Sequence, residues 1–203
     1  MKNAIKINKF KKDKYMIVRK SINGQVVKFI DSYFMLKRRV TRTFFDDKYI
    51  SQFTHEWGVF NDPEARDTYS HYADIAMETL LTWAQPVMER QTGYHLSPTF
   101  SYARIYKRGD IIKHTNDDQV SALVYLGGDA WPIFIGPEKK KILLEPADML
   151  IYQKGCVLQV EPFQGEHHTQ VFLHFNQVDD KGLEPMKYDK RPYLGLPAWF
   201  KKR

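Results

Sequence analysis

One cysteine in 203 residues leaves this chain without a partner for an internal disulfide. Cys156 alone excludes a disulfide scaffold and a cysteine-rich zinc site, and it suits a reducing cytoplasm. No apolar run approaches the ~20 residues that cross a bilayer. The N-terminus is charged but has no apolar stretch or small-residue cleavage site, so no secretory leader is expected. No internal repeat or low-complexity segment is evident. The length is most simply read as one domain, large enough to bury a full core without staples.

The charge that is present lies in one place. Lys2, Lys6, Lys9, Lys11, Lys12, Lys14, Arg19 and Lys20 stand against Asp13 alone, which accounts for the whole formal charge of +7. Such a basic arm can bind nucleic acid or another acidic surface, or serve as a solvated lead-in to a first strand at Tyr15–Val18. The absence of interleaved aromatics favours the lead-in over a binder of single strands.

Helical signals come next. Ser21-Ile22-Asn23-Gly24 caps a helix expected over 25–39, with Val26, Phe29, Ile30, Tyr33 and Phe34 forming one apolar stripe. Residues 41–70 are polar and aromatic without a sustained period, and Asn61-Asp62-Pro63 marks a turn there. Long ordered loops of this kind often cover a site. A second helix is expected from Ser70 to Thr92, kinked at Pro86 and ended by Gly93. Its core face is Ala73, Ala76, Met77, Leu80, Leu81, Ala84, Val87 and Met88.

From Leu96 the pattern changes to strands. Tyr102, Arg104 and Tyr106 alternate with Ala103 and Ile105, as a half-buried strand requires. Arg108-Gly109-Asp110 reads as a turn, and Ile111-Ile112 delivers His114 into a polar loop, Thr115-Asn116-Asp117-Asp118-Gln119. A second strand runs from Val120 to Leu126. Short strands follow at Ile133–Ile135, Lys141–Leu144, Met149–Tyr152, Val157–Val160 and Val171–Phe175, separated by Gly, Pro and Asp turns. Helices first and a β-domain after them imply an α+β fold with helices on one face of the larger sheet. The expected division is a basic arm over 1–20, helical support over 21–95, a β core over 96–178 and a docked tail over 179–203. In that tail Trp199 and Phe200 are expected as packing anchors.

A histidine followed by carboxylates at the mouth of two strands presents nitrogen and oxygen donors to a first-row metal, although a polar hairpin tip has the same composition. The chain also resembles the 2-oxoglutarate/Fe(II)-dependent oxygenases of the prolyl 4-hydroxylase-like group, closest to versions encoded by marine bacteriophages. The similarity lies in YSHYADIAMETLL, SYARIYKRGD, LGGDAWPIFIGP, EPADMLIYQKGC, EPFQGEHHTQVFLHFN and RPYLGLPAWFK. It implies a double-stranded β-helix (a jelly roll, cupin-like) with supporting N-terminal helices, Fe(II) and 2-oxoglutarate as cofactors, and a protein or peptide substrate. It also implies the cytoplasm of an infected bacterial host, or a place in the virion.

The family's iron is held by a His-x-Asp pair and a distal His. The corresponding positions here read His114-Thr115-Asn116, followed by Asp117 in a shortened loop. Asn116 is a neutral oxygen donor, and Asp117 replaces it if the loop rolls by one position. Gly155-Cys156-Val157-Leu158-Gln159-Val160 runs straight into Glu161-Pro162-Phe163, so the distal His is missing. His167, His168 and His174 lie downstream; His168 is carried as the candidate replacement, against an ordinary packing role. Tyr102 and Arg104 are the candidates for the far carboxylate of 2-oxoglutarate, against a structural ion pair for Arg104. Two functions follow. One is a prolyl hydroxylase-like dioxygenase with a departed ligand set; the other is an inactive oxygenase fold kept for binding, as a phage structural or assembly component.

Overall fold

The computed structural model describes residues 2–46, 57–60, 68–112, 120–178 and 187–202. Two antiparallel sheets form its centre. The larger has six strands in the order β1-β7-β4-β9-β3-β2, and the smaller has three in the order β6-β5-β8. The strands are β1 (Tyr15–Val18), β2 (Tyr69–Tyr72), β3 (Leu96–Lys107), β4 (Val120–Gly128), β5 (Ile133–Ile135), β6 (Lys140–Ile142), β7 (Met149–Gln153), β8 (Leu158–Gln159) and β9 (His167–Gln177). The helices are α1 (Lys2–Asp13), α2 (Gly24–Asp46) and α3 (Ile75–Thr92).

The larger sheet is buried on both faces, which explains the near-continuous apolar reading of β4. Ala122, Val124 and Leu126 pack outward against α2 and α3, in a core with Val27, Ile30, Phe34, Met77, Leu81 and Met88. Leu123 and Tyr125, on the opposite pleat, pack inward with Leu150, Tyr152 and Phe172 against Ile133, Ile135, Ile142 and Leu144 of the smaller sheet region. This second core is the inside of the jelly roll. The expected α+β fold with supporting helices is what the chain adopts.

The lead-in to β1 is helical and docks through one residue, while Lys6, Lys9, Lys11 and Lys12 stay exposed. Residues 2–13 form a helix whose Phe10 is fully buried and meets Tyr94 edge to face at 6.2 Å. Lysines dominate its sequence, but Phe10 supplies the apolar contact, and Lys11 lies over the Tyr94 ring. In α2 the buried face is Val27, Ile30 and Phe34, with Phe29 72% exposed, so the core stripe is rotated from the expected one. Asn23 caps that helix through Oδ1, which accepts from Gln25 N at 2.8 Å.

The second helix begins later than its periodicity suggests. Residues 69–72 form edge strand β2, and Asp74 caps α3 by accepting from the N–H groups of Ala76 and Met77. Gly93 closes α3 in the left-handed conformation, its N–H donating to Glu89 O. The irregular segment expected over 41–70 lies largely outside the described residues. Within it, Val59 bridges Ser70 at the edge of β2.

The tail docks, but not through its aromatics. Trp199 and Phe200 remain about half exposed. The anchor is Arg191, 3% exposed, whose guanidinium donates to both oxygens of Glu78 and to Thr99 O. A charged residue does the fastening because its partner Glu78, on α3, is itself buried.

Candidate active site on the inner wall

The inner face of the larger sheet follows from register. Tyr102, Arg104 and Tyr106 on β3 sit opposite Phe172, Gln170 and His168 on β9. Directly opposed residues of an antiparallel pair share a face, so these six line the jelly-roll interior together. Phe100 and His174 extend the row at one end, stacked with centroids 4.3 Å apart.

Tyr102 and Arg104 are brought together as expected. The Arg104 guanidinium lies 4.7 Å from the centroid of the Tyr102 ring, and Arg104 is 2% exposed. The Tyr102 hydroxyl donates to Ser70 Oγ at 3.0 Å. A buried guanidinium stacked on an aromatic face is a rigid, weakly hydrated fork that suits a carboxylate.

His168 occupies a closed compartment at one end of this wall. Its ring stacks on Tyr125 at 4.6 Å and is flanked by Trp131 at 5.6 Å and Phe163 at 5.8 Å, with Tyr106 beyond. Nδ1 lies 2.8 Å from Asp129 O, and Nε2 lies 3.2 Å from the Gln170 side-chain oxygen. Both ring nitrogens therefore face protein oxygens. Burial disfavours the charged ring and holds its pKa below the ordinary histidine value, against the hydrogen bonds to Asp129 and Gln170. Both ring nitrogens are thus engaged within the fold, as in a packing histidine.

The other end of the wall is polar. Ser121 Oγ lies 3.1 Å from His174 Nδ1, and Tyr152 stands opposite Ser121 on β7. Strand β4 starts here, so the segment 113–119 rejoins the sheet at this end. His114, Asn116 and Asp117 lie within that segment, outside the described residues. Among the described residues no group of three or more His, Cys, Asp or Glu side chains is placed to hold a metal ion. Nor does β8, Leu158–Gln159, carry an imidazole. The described residues do not fit an iron centre by themselves, while Arg104 and Tyr102 fit a dicarboxylate.

Sequence reasoning named Tyr102 and Arg104, which lie side by side on this wall, and did not single out Gln170, fully buried opposite Arg104, or the Ser121–His174 pair. The alternation His168, Gln170, Phe172, His174 carried that signal. It was obscured because Val171 and Leu173 between them are equally buried, in the outer core.

Two packed antiparallel sheets with helices on one outer face make a jelly-roll-type fold, which solved structures of 2-oxoglutarate/Fe(II) oxygenases share. Three solved structures illustrate the likeness. A prolyl-4-hydroxylase from Pseudomonas putida matches with a TM-score of 0.57 at 11% identity, over 86% of this chain and 98% of its own. A prolyl hydroxylase from Trichoplax adhaerens, bound to a hypoxia inducible factor peptide fragment, matches at 0.59 and 12%, over 91% and 93%. The α-ketoglutarate-dependent epimerase SnoN from nogalamycin biosynthesis matches at 0.62 and 12%, over 87% and 84%. Identities this low show the fold alone. No protein-family model matches the sequence, and no curated protein does.

Proposed function

We propose that the protein is a 2-oxoglutarate- and Fe(II)-dependent dioxygenase, prolyl hydroxylase-like, that works with a departed metal-ligand set on a protein or peptide substrate. The observation that supports this reading is Arg104, a buried cation on the inner wall of an oxygenase fold, stacked on Tyr102. In this reading Arg104 grips the far carboxylate of 2-oxoglutarate through its paired N–H groups, and Tyr102 holds the fork in plane. The Tyr125, Trp131 and Phe163 rings pack around His168 at one end of the wall and would keep water from that end. Iron falls to His114 with Asn116 or Asp117, and the bound metal supplies the oxidising chemistry.

A second reading has its own observation: β8 lacks an imidazole, and the ring nitrogens of His168 are taken up within the fold. It makes the protein a catalytically inactive oxygenase fold retained for binding, as in a phage structural or assembly component.

One experiment separates the two. 2-Oxoglutarate binding is measured anaerobically with and without Fe(II), and succinate release is then followed in air. Binding with succinate release supports the dioxygenase, and binding without it supports the inactive fold. Absence of both removes the site assignment. Arg104→Met is expected to weaken 2-oxoglutarate binding by about thirtyfold or more, the usual cost of truncating one side of a buried charge pair.

A further inference from the structure

Among the described residues strand β1 ends the larger sheet, with β7 on one side and no strand on the other. Gln153 N donates to Lys14 O, and Tyr15 through Val18 stand opposite Tyr152 through Met149. In an antiparallel ladder the next residue along turns its backbone groups the other way. Tyr15 and Ile17 therefore direct their N–H and C=O outward, and among the described residues nothing pairs with them. Edge strands are commonly blunted by a charge, a proline or a bulge on the strand itself. Tyr-Met-Ile-Val has none of these.

The edge opens into a groove of about 490 Å³ lined by Lys6, Lys9, Asp13, Arg19, Gln91 and Lys140, among others. Lys6 and Lys9 come from α1 on one wall, and Lys140 comes from β6 on the other. Asp13 is the one carboxylate in the lining. Arg19 is partly committed, since its guanidinium donates to Asp148 and Leu143 O, yet its side chain is 55% exposed. Positive charge thus flanks the unpaired edge on both sides. A second copy presenting the same basic walls is repelled there. The groove also offers no exposed ring on which a base could stack, since Phe10 is fully buried and Tyr15 packs toward the inner core.

We propose that β1 is a docking edge for an extended acidic peptide, which adds as a further antiparallel or parallel strand between the lysines of α1 and Lys140. Main-chain bonds to Tyr15 and Ile17 supply the pairing, and carboxylates on both faces of the added strand meet the two basic walls. This surface is separate from the inner wall and does not depend on the activity proposed for it.

The test is fluorescence anisotropy of the full chain with a labelled heptapeptide that carries Glu on both faces of the extended strand, in the repeat Glu-Glu-Val-Val. Saturable binding is expected. Methylating alternate backbone nitrogens of the peptide, which leaves its charge unchanged, should abolish it. The double variant Lys9→Glu/Lys140→Glu changes two exposed side chains and should melt like the parent. It is expected to bind about tenfold more weakly, the sum of two flanking charge pairs. Equal binding of the methylated peptide would show adhesion by charge alone and overturn the proposal. So would tighter binding of a single-stranded oligonucleotide of matching length, or a dimer by sedimentation that excludes the peptide.

Discussion

Removing the Arg191 side chain should release the C-terminal segment and lower the stability of the whole domain. Glu78 is 2% exposed on α3 and accepts from Arg191 Nη2 at 2.7 Å, from Nη1 at 3.3 Å and from Gly195 N. Arg191 also donates to Thr99 O at 2.9 Å and to Leu196 O at 2.6 Å, and its guanidinium lies 5.0 Å from the Tyr72 ring. Arg191→Met leaves the Glu78 carboxylate buried without its counter-charge. Breaking one side of such a pair costs about 3–5 kcal/mol, whereas replacing both sides costs far less. For a chain of this length each kcal/mol lowers the melting temperature by about 2–4 °C, so a drop of roughly 6–20 °C is expected. The assay is reversible thermal unfolding of the parent, Arg191→Met, Glu78→Gln and the double variant. The two single losses should exceed the double loss by about 2 kcal/mol or more. A single-variant loss below about 1 kcal/mol with additive behaviour would refute the idea that this ion pair, rather than Trp199 and Phe200, fastens the tail.

The remaining predictions concern protonation and backbone. The His168 pKa is depressed by burial, so the unfolded chain takes up the proton first; stability should be full above about pH 6.5 and decline as pH falls below it. His168→Gln should flatten that decline in urea melts at pH 5 and 7. Burial alone would raise the Asp74 carboxyl, but the hydrogen bond from His71 and the Lys37 ammonium at 2.5 Å outweigh it and hold it well below the usual range. Its contribution should therefore be present above about pH 4 and lost under stronger acid, and Asp74→Asn should remove that acid limb. Gly128 has φ +93, and a Cβ there would strike the backbone of His167, so Gly128→Ala should cost at least about 1–3 kcal/mol by denaturant titration. Burial pushes the Cys156 thiol up to about 11 against the pull of Lys14, so alkylation by iodoacetamide at pH 7.5 should be slow until the chain is unfolded.

Much of the architecture was legible because period and punctuation agree over β3, β4 and α3. Gly93 and the Met77, Leu80, Leu81, Ala84 and Met88 face fixed the helix, and the Tyr102, Arg104, Tyr106 alternation fixed an inner wall. Errors arose where one residue had two possible partners. Ser70-His71-Tyr72 extends the apolar pattern of α3 backward, yet pairing with Arg104, Ala103 and Tyr102 makes it a strand. In α2, Phe29 belongs to the apolar stripe by spacing, but the sheet presents its face to Val27 and Phe34 instead. Phe10 among lysines gave no periodic signal strong enough to call a helix; its partner Tyr94 lies far along the chain. The buried Glu78–Arg191 pair could not be read either, because only the fold brings α3 and the tail together.

The same registers also bear on the iron question. Along β9 the inner row runs His168, Gln170, Phe172, His174, and Arg104 stands opposite Gln170. A dicarboxylate held at Arg104 has two directions in which to extend along the wall. Toward His168 the space is taken by Tyr106, Trp131 and Phe163, which form a packed cluster of their own. Toward His174 the lining turns polar with Ser121 and Tyr152, at the end where β4 begins. His168 also stands opposite Gly128, at the far end of β4 from Val120, and a strand of that length spans about 27 Å at ~3.4 Å per residue. The described residues on either side of His114, Asn116 and Asp117 stand at opposite ends of this wall: Ile112 packs against Tyr106, Trp131 and Phe163 beside His168, and Val120 opens β4 beside Ser121. Metal content is therefore to be measured in His114 and His168 variants side by side, with the urea melts separating a packing loss at His168 from a loss of metal.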